Sequence, residues 1–437
     1  MTPRALPVLI ALAGCADKGA PVAEGESFTD IVITPDTMIS AVQHVSFTTS
    51  SEEDGWVEFG PAAEEGWRAA ATSLGDGAWE ATLLGLPAGS EAWITVGAGS
   101  STGPTTTVTT DRPPAWLDYL ETSEGTPSPG FLVMTVTTAK GTGPAILDTR
   151  GRPVWWYEAS EELLGRTYPR ARLGHDLDEV WFNAMGATGS GEDALVRVAI
   201  DGSTHESFSR PHAHHDFWLH DDGTQAMIQT DDREVEGETI YGDQLVEYAP
   251  SGEERQIWSV WDTLVYDPAT SPLVASSWTI ANHIEYVAAS DTYVMSLRNI
   301  DTLVAFERAT GTVEWTLGPE GTYVPQDQHH NQHGFDVLDD GILLFDNGTV
   351  GNNDSRAVQY RFGDGVADNV WEYHSDPALY SFIMGDAHLL ENGNTRVTFS
   401  TMATVQEVDA DGVLEASFSY EIGTILGFPE PWDTLIR

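Results

Sequence analysis

The 437-residue chain carries 20 Lys+Arg against 68 Asp+Glu, a formal net charge of −48, with 41% hydrophobic and 10% aromatic residues and a single Cys. That charge excludes nucleic acid as a partner, because a polyanion is repelled instead of releasing counterions, and it excludes a basic patch for anionic lipid. One Cys excludes an intrachain disulfide and a Cys-based zinc cage, while the apolar content suffices for sizeable cores in two to four domains.

Met1–Arg4 is basic, and Leu6–Ala13 is apolar but too short to span a bilayer, so residues 1–14 read as a signal peptide. Its end, Leu12-Ala13-Gly14-Cys15, resembles the bacterial lipobox, in which the Cys becomes the lipidated first residue. The expectation is an extracytoplasmic protein, in the periplasm or at the cell surface. It would touch the membrane only through a lipid on Cys15, with residues 15–26 as a flexible tether.

Residues 27–111 alternate short β-rich runs with Gly, Pro, Ser and Asp clusters, as in His44–Thr49, Trp56–Gly60 and Ala92–Val96. About seven short strands in such a length predict a small β-sandwich. The Leu84-Gly85-Leu86-Pro87 turn and the terminal Thr109-Thr110 resemble a fibronectin type III domain. Arg112-Pro113-Pro114 marks its end, since two prolines interrupt pairing.

From 115 to 437 one unit recurs: a β run, a Gly turn, and a second run usually bearing Trp. The turn glycines are Gly151, Gly202, Gly252, Gly311, Gly365 and Gly412, at steps of 51, 50, 59, 54 and 47 residues. A period near 50 without helical patterning predicts propeller blades, and six copies predict six. The fold class is therefore all-β: a six-bladed propeller preceded by the sandwich. Each Gly turn should join the two outer strands of a blade. Upstream inner pairs such as Leu219–Ile228, Val337–Phe345 and Leu390–Thr398 place His175, His214/His215, His283, His333 and His388 at similar points. Radial symmetry would gather these distant imidazoles around one axis.

Imidazole can serve as nucleophile, general acid or base, or metal ligand. Arg298 adds a rigid fork suited to a tetrahedral oxyanion, and Asn347 adds a hydrogen-bonding amide or an Asx turn. The ordered words His214-His215-Asp216, Ser296-Leu297-Arg298, Gly311–Gly318, Gln332-His333-Gly334, Phe345–Gly348, Ser355–Val358 and Leu390–Thr395 resemble the bacterial aryl-sulfate sulfotransferases. That resemblance implies transfer of a sulfuryl group from an aryl sulfate to a phenol through a sulfated histidine, with no nucleotide and no cofactor. Carried over, His333 is the nucleophile, and His215, Arg298 and Asn282 hold the sulfuryl oxygens. His283 is the first candidate to protonate the leaving phenol, and His214, Asn347, His388 and Thr401 complete the substrate-binding set.

Three departures accompany the resemblance. Ile280 stands where the family has a His, no lysine follows Lys140 to supply the family's final-blade Lys, and the family's disulfide is missing. Arg396 and Thr401 are the nearest candidates for the lysine's place. Two other classes stay open on the residues alone. One is a metal-dependent enzyme using the imidazoles with Asp216, Asp336 or Asp386; His212-Ala213-His214-His215-Asp216 also resembles a metallo-β-lactamase motif. The other is a non-catalytic propeller that binds a ligand or partner.

Overall fold

The computed structural model describes residues 27–61, 66–158, 163, 165–186, 191–266, 277–349, 351 and 353–436. Cys15, the signal and the tether lie outside the described residues.

Two four-stranded sheets form the N-terminal sandwich. One orders the strands Phe28–Pro35, Gln43–Thr49, Ala78–Leu83 and Thr72–Gly75; the other orders Trp67–Ala70, Gly55–Pro61, Glu91–Ala98 and Ser101–Thr109. Period-two alternation in Gln43–Thr49 turns Val45 and Phe47 inward against Val57, Phe59, Ile94 and Val96. The sandwich is docked on the larger unit. Ile39 and Val42 are buried in the same cluster as Phe131 and Ile146, and Trp67 meets Phe131 at 5.9 Å.

The remaining described residues form six antiparallel-based sheets, the blades of a β-propeller. The inner strands of blades 2 to 6 are Ala171–Leu173, Ala213–Leu219, Ala281–Val287, Phe335–Leu338 and Asp386–Leu389. Blade 1 is built on Phe131–Thr138, and its inner edge is supplied from the C-terminal end by Ile425–Leu426 and Glu430–Trp432. Leu120–Gly125 in turn adds an outer strand to blade 6 by pairing with Leu414–Tyr420. Both ends of the propeller are thus clasped, which removes the free edges an open sheet would expose. All six repeat glycines sit between the third and fourth strands of their blades with φ between +70° and +85° (Gly151 +81°, Gly202 +77°, Gly252 +85°, Gly311 +70°, Gly365 +79°, Gly412 +78°), a region a side chain disfavours.

Blades cohere because their second and third strands are apolar on both faces and send alternate residues to the two neighbouring blades. In blade 4, Val304 and Phe306 enter the cluster shared with blade 3, while Leu303 and Ala305 enter the cluster shared with blade 5. The Trp that follows the glycine completes this packing: Trp258 of blade 3 stacks on Phe306 of blade 4 at 4.9 Å and 12°.

Candidate active site

A left-handed residue precedes four successive inner strands: His212 (φ +66°), Ile280 (+46°), Asn331 (+55°) and Met384 (+55°). Two residues further on stand His214, Asn282, His333 and Asp386, all buried. The propeller therefore brings one repeated position of four blades to its axis. Strain of this kind in non-Gly residues clusters at functional sites.

His333 is 3% exposed. Its Nδ1 lies 2.7 Å from Asn347 Oδ1 and 3.0 Å from the Asn331 carbonyl. The Asn347 amide is oriented unambiguously, because its Nδ2 donates to the carbonyls of Ser381 (2.6 Å) and Met384 (2.7 Å). Both neighbours of Nδ1 are therefore acceptors, so Nδ1 carries the proton and the lone pair resides on Nε2. Nε2 makes no hydrogen bond among the described residues. Burial, and then the nearby Arg298 charge, push the His333 pKa down to about 3, so the ring is neutral at ordinary pH.

Arg298 opens the short 3-10 turn Arg298–Ile300 at the end of Thr292–Leu297. It is 5% exposed. Nη1 donates to Asn299 Oδ1 (3.2 Å) and Nη2 to the Phe382 carbonyl (3.3 Å), while Nε is buried without a partner. No carboxylate pairs with this guanidinium among the described residues, and burial lowers its pKa. A buried cation with a spare donor is a receptor for an anion. The His333 segment is clamped to the same blade. Asn282 Nδ2 donates to the Gln332 carbonyl (2.8 Å), and Gln332 Nε2 reaches Ser296 Oγ (3.1 Å) and the Leu297 carbonyl (3.3 Å), next to Arg298.

His215 sits at a bulge in Ala213–Leu219 with φ +54°, its carbonyl held by Asn183 Nδ2 at 3.0 Å. A bulge re-aims side chains, here turning two consecutive imidazoles toward the interior. Burial, and then the neighbouring His214, lower the His215 pKa to about 3; Arg298 pushes the same way, while Asp243 and Asp216 oppose. The charge of Arg298 thus acts on both His333 and His215, and His215 acts on His333. These three form the centre of the site.

Several expected roles move. His175 is half-exposed, lies in the turn beyond the inner strand of blade 2, and binds the Leu219 carbonyl and Asp221, away from the other imidazoles. His283 Nδ1 is 2.8 Å from Asp216 and its ring stacks on Phe428 at 5.4 Å, so one nitrogen is tied to a carboxylate that Arg170 and Arg172 also share. Both nitrogens of His388 are used by Asp336 (2.6 Å) and Asp386 (3.0 Å), which excludes a substrate contact. Asn282 donates one amide proton to the Gln332 carbonyl, which braces the His333 segment, and its second amide proton has no partner among the described residues; Asn347 spends both of its amide protons on carbonyls, so it positions His333 and has no donor left for a sulfate oxygen. His214 stands behind His215, 2.8 Å from it. Thr401 binds Ser381 Oγ through its backbone N–H and its hydroxyl, and so braces the residue that orients Asn347. Arg396 is tied to Glu407 at 2.9 Å within blade 6 and does not replace a catalytic lysine.

Sequence reasoning missed a buried charged plug shared by the inner strands of blades 1, 2 and 3. Arg172 reaches Glu430 (2.9 Å) and Asp216 (3.2 Å), and Arg170 lies 3.4 Å from Asp216. Burial raises the Asp216 pKa, yet Arg172 and Arg170 outweigh it and hold the carboxylate charged. Burial disfavours charge on His388, but Asp336 and Asp386 prevail and hold it protonated. Burial and then Asp336 push Glu285 up to about 8, so this carboxyl is neutral near pH 7. The signal was present as Arg170-Ala171-Arg172, an alternating basic pair on a core strand. No group of three or more His, Cys, Asp or Glu among the described residues is arranged to hold a metal ion.

Among solved structures, the chain is similar to a protein of unknown function from Bacteroides caccae (13% identity, TM-score 0.47, covering 70% of this chain and 100% of that one). It is also similar to virginiamycin B lyase from Staphylococcus aureus (10%, 0.42, 71% and 95%) and to a periplasmic gluconolactonase from Pseudomonas aeruginosa (10%, 0.42, 69% and 99%). No curated protein matches the sequence. The arylsulfotransferase family model matches residues 119–422, the whole span from the first outer strand of blade 6 to its last, and the chain belongs to that family.

Proposed function

We propose that the chain transfers a sulfuryl group from an aryl sulfate to a phenolic acceptor through a sulfated His333. The observation that carries this reading is a neutral imidazole with its lone pair fixed on Nε2 beside a buried guanidinium that makes no ion pair among the described residues. The donor's sulfate would supply the counter-ion. Nε2 attacks sulfur, the S–O(aryl) bond breaks, and its electron pair leaves on the phenolate oxygen. Arg298 holds the sulfuryl oxygens while charge is redistributed among them. The Nδ1–H bond to Asn347 stabilises the positive ring of the intermediate. An acceptor phenol then attacks the same sulfur and Nε2 recovers its electron pair, giving ping-pong kinetics. The lipobox-like Leu12–Cys15 supports an enzyme tethered outside the cytoplasm.

The test is transfer from 4-nitrophenyl sulfate to phenol, followed as nitrophenolate release and as phenyl sulfate formed. Wild type turns over and His333→Ala does not, while both give the same circular dichroism and melting profile. Full activity in His333→Ala would remove the nucleophile from this account. An inactive wild type across salt concentrations would return the chain to the ligand-binding class.

A further inference from the structure

The phenol oxygens need a proton donor and acceptor, and the carboxylate behind His283, Asp216, is already shared with Arg170 and Arg172. Another pair is placed for it. His214 Nδ1 and His215 Nδ1 are 2.8 Å apart with their rings at 87°, and His214 Nε2 lies 3.0 Å from Asp243 Oδ1. Asp243 is fixed from its other side: Oδ2 accepts from the Thr279 hydroxyl and from the Ala281 N–H at 2.8 Å. Asp243, His214 and Thr279 are all buried, and His215 is the member of the chain that keeps some exposure. Two nitrogens at that spacing share one proton, since neither two lone pairs nor two N–H groups fit between them.

We infer that Asp243 and His214 form with His215 a proton relay that serves the leaving and the entering phenol oxygens. His215 is the catalytic residue of the three, because it alone keeps some exposure and acts electrostatically on His333; His214 and Asp243 are positioning residues. The inference rests on the sulfuryl-transfer reading.

In the protonated form, the His214 imidazolium pairs with Asp243 on its Nε2 side, His214 Nδ1–H donates to His215 Nδ1, and His215 Nε2 carries the available proton. When the S–O(aryl) bond breaks, that proton passes to the phenolate oxygen. The His214 Nδ1 proton moves to His215 Nδ1. His214 ends neutral, with its Nδ1 accepting from His215. In the second half-reaction the acceptor phenol gives its proton to His215 Nε2, the shared proton returns to His214, and the imidazolium rests against Asp243. No proton is gained or lost over a cycle. The charged groups acting on His215 are His214, Asp243, Asp216 and Arg298. Of these, His214 is the one that touches both His215 and a carboxylate, at 2.8 and 3.0 Å.

The experiment compares donors whose leaving phenols differ in basicity, from 4-nitrophenyl sulfate to phenyl sulfate, in wild type, Asp243→Asn and His214→Gln. A nitrophenolate departs without a proton, whereas a phenol of pKa ~10 needs one. Both variants should keep 4-nitrophenyl sulfate cleavage within about tenfold of wild type and lose about 10²- to 10⁴-fold with phenyl sulfate, the usual scale of general acid catalysis. An equal loss across the series, or no loss, overturns the relay while leaving sulfuryl transfer intact. Because the contrast is taken within each variant, either variant that folds decides the matter. Wild type inert toward every ester overturns the parent reading, and the relay with it.

Discussion

Replacing Asn347 by Leu isolates the control of the His333 tautomer. The side chain is fully buried and uses both of its donors and its oxygen: Oδ1 to His333 Nδ1 at 2.7 Å, and Nδ2 to the Ser381 and Met384 carbonyls at 2.6 and 2.7 Å. Leu fills similar space and offers none of these. Two buried carbonyls are left unpaired, at about 1–3 kcal/mol each, so stability should fall by roughly 2–6 kcal/mol. The catalytic effect is separate. In the intermediate the His333 ring is positive, and its Nδ1–H bond is of the charge-assisted class worth about 1.5–3 kcal/mol. Losing it should slow nitrophenolate release by roughly tenfold to 150-fold, at ~1.4 kcal/mol per decade. Single-turnover release from 4-nitrophenyl sulfate reads this rate directly. Ser355→Ala is the control. Ser355 Oγ donates to the Asn347 carbonyl (3.0 Å) and accepts from Ser381 N–H (3.0 Å), so the variant loosens the same loop without touching Nδ1–H. It should lower the melting temperature and keep the release rate within a few-fold of wild type. Should Asn347→Leu release nitrophenolate at the wild-type rate, the tautomer argument fails.

Three further outcomes follow from the same geometry. Arg298→Ala should lower donor kcat/KM by about 10²- to 10³-fold, the scale of losing a preorganised oxyanion donor, and steady-state kinetics with varied donor would show it; an unchanged kcat/KM would remove Arg298 from sulfate binding. Glu285, pushed up to about 8, binds a proton in the folded protein that it releases near pH 4.5 when unfolded, so its contribution to stability is complete below the unfolded value and is lost as pH rises through about 8. Glu285→Gln keeps an acceptor for the Val337 N–H (2.9 Å in wild type) and cannot ionise, so denaturant titrations at pH 6 and pH 9 should show a smaller alkaline loss than wild type; an equal loss contradicts the assignment. Cys15→Ser should move the protein from the membrane fraction of a bacterial host to the soluble fraction, and unchanged membrane partition would contradict lipid anchoring at Cys15.

The propeller was legible because its strongest constraint is local. A tight turn between the outer strands needs a positive φ, so glycine recurs once per blade at Gly151 through Gly412, and the Trp after it fills the gap to the neighbouring blade. His333, His215 and Arg298 were legible as words in order. Their partners were not, because roles in a channel depend on atoms donated from other blades. Asn347 carries an amide that suits a sulfate oxygen equally well; only the carbonyls of Ser381 and Met384, more than thirty residues on, show that it is used up. His283 and His388 share the composition of a catalytic set yet are drawn into the plug by Asp216, Asp336 and Asp386. His175 was misplaced because the spacing along the chain does not tell which end of an inner strand a residue occupies. Asp243 lies in a third strand, Glu238–Tyr248, where nothing in the pattern marks it as a partner of His214.

Intact-mass analysis of the protein mixed with 4-nitrophenyl sulfate, with no acceptor present, addresses the covalent step itself. The account predicts one added SO3 group per chain, mapped by peptide fragmentation to His333, discharged by phenol and absent in His333→Ala. Nitrophenolate released by rapidly quenched wild-type protein with no added mass, or an adduct that maps to another residue, would contradict it.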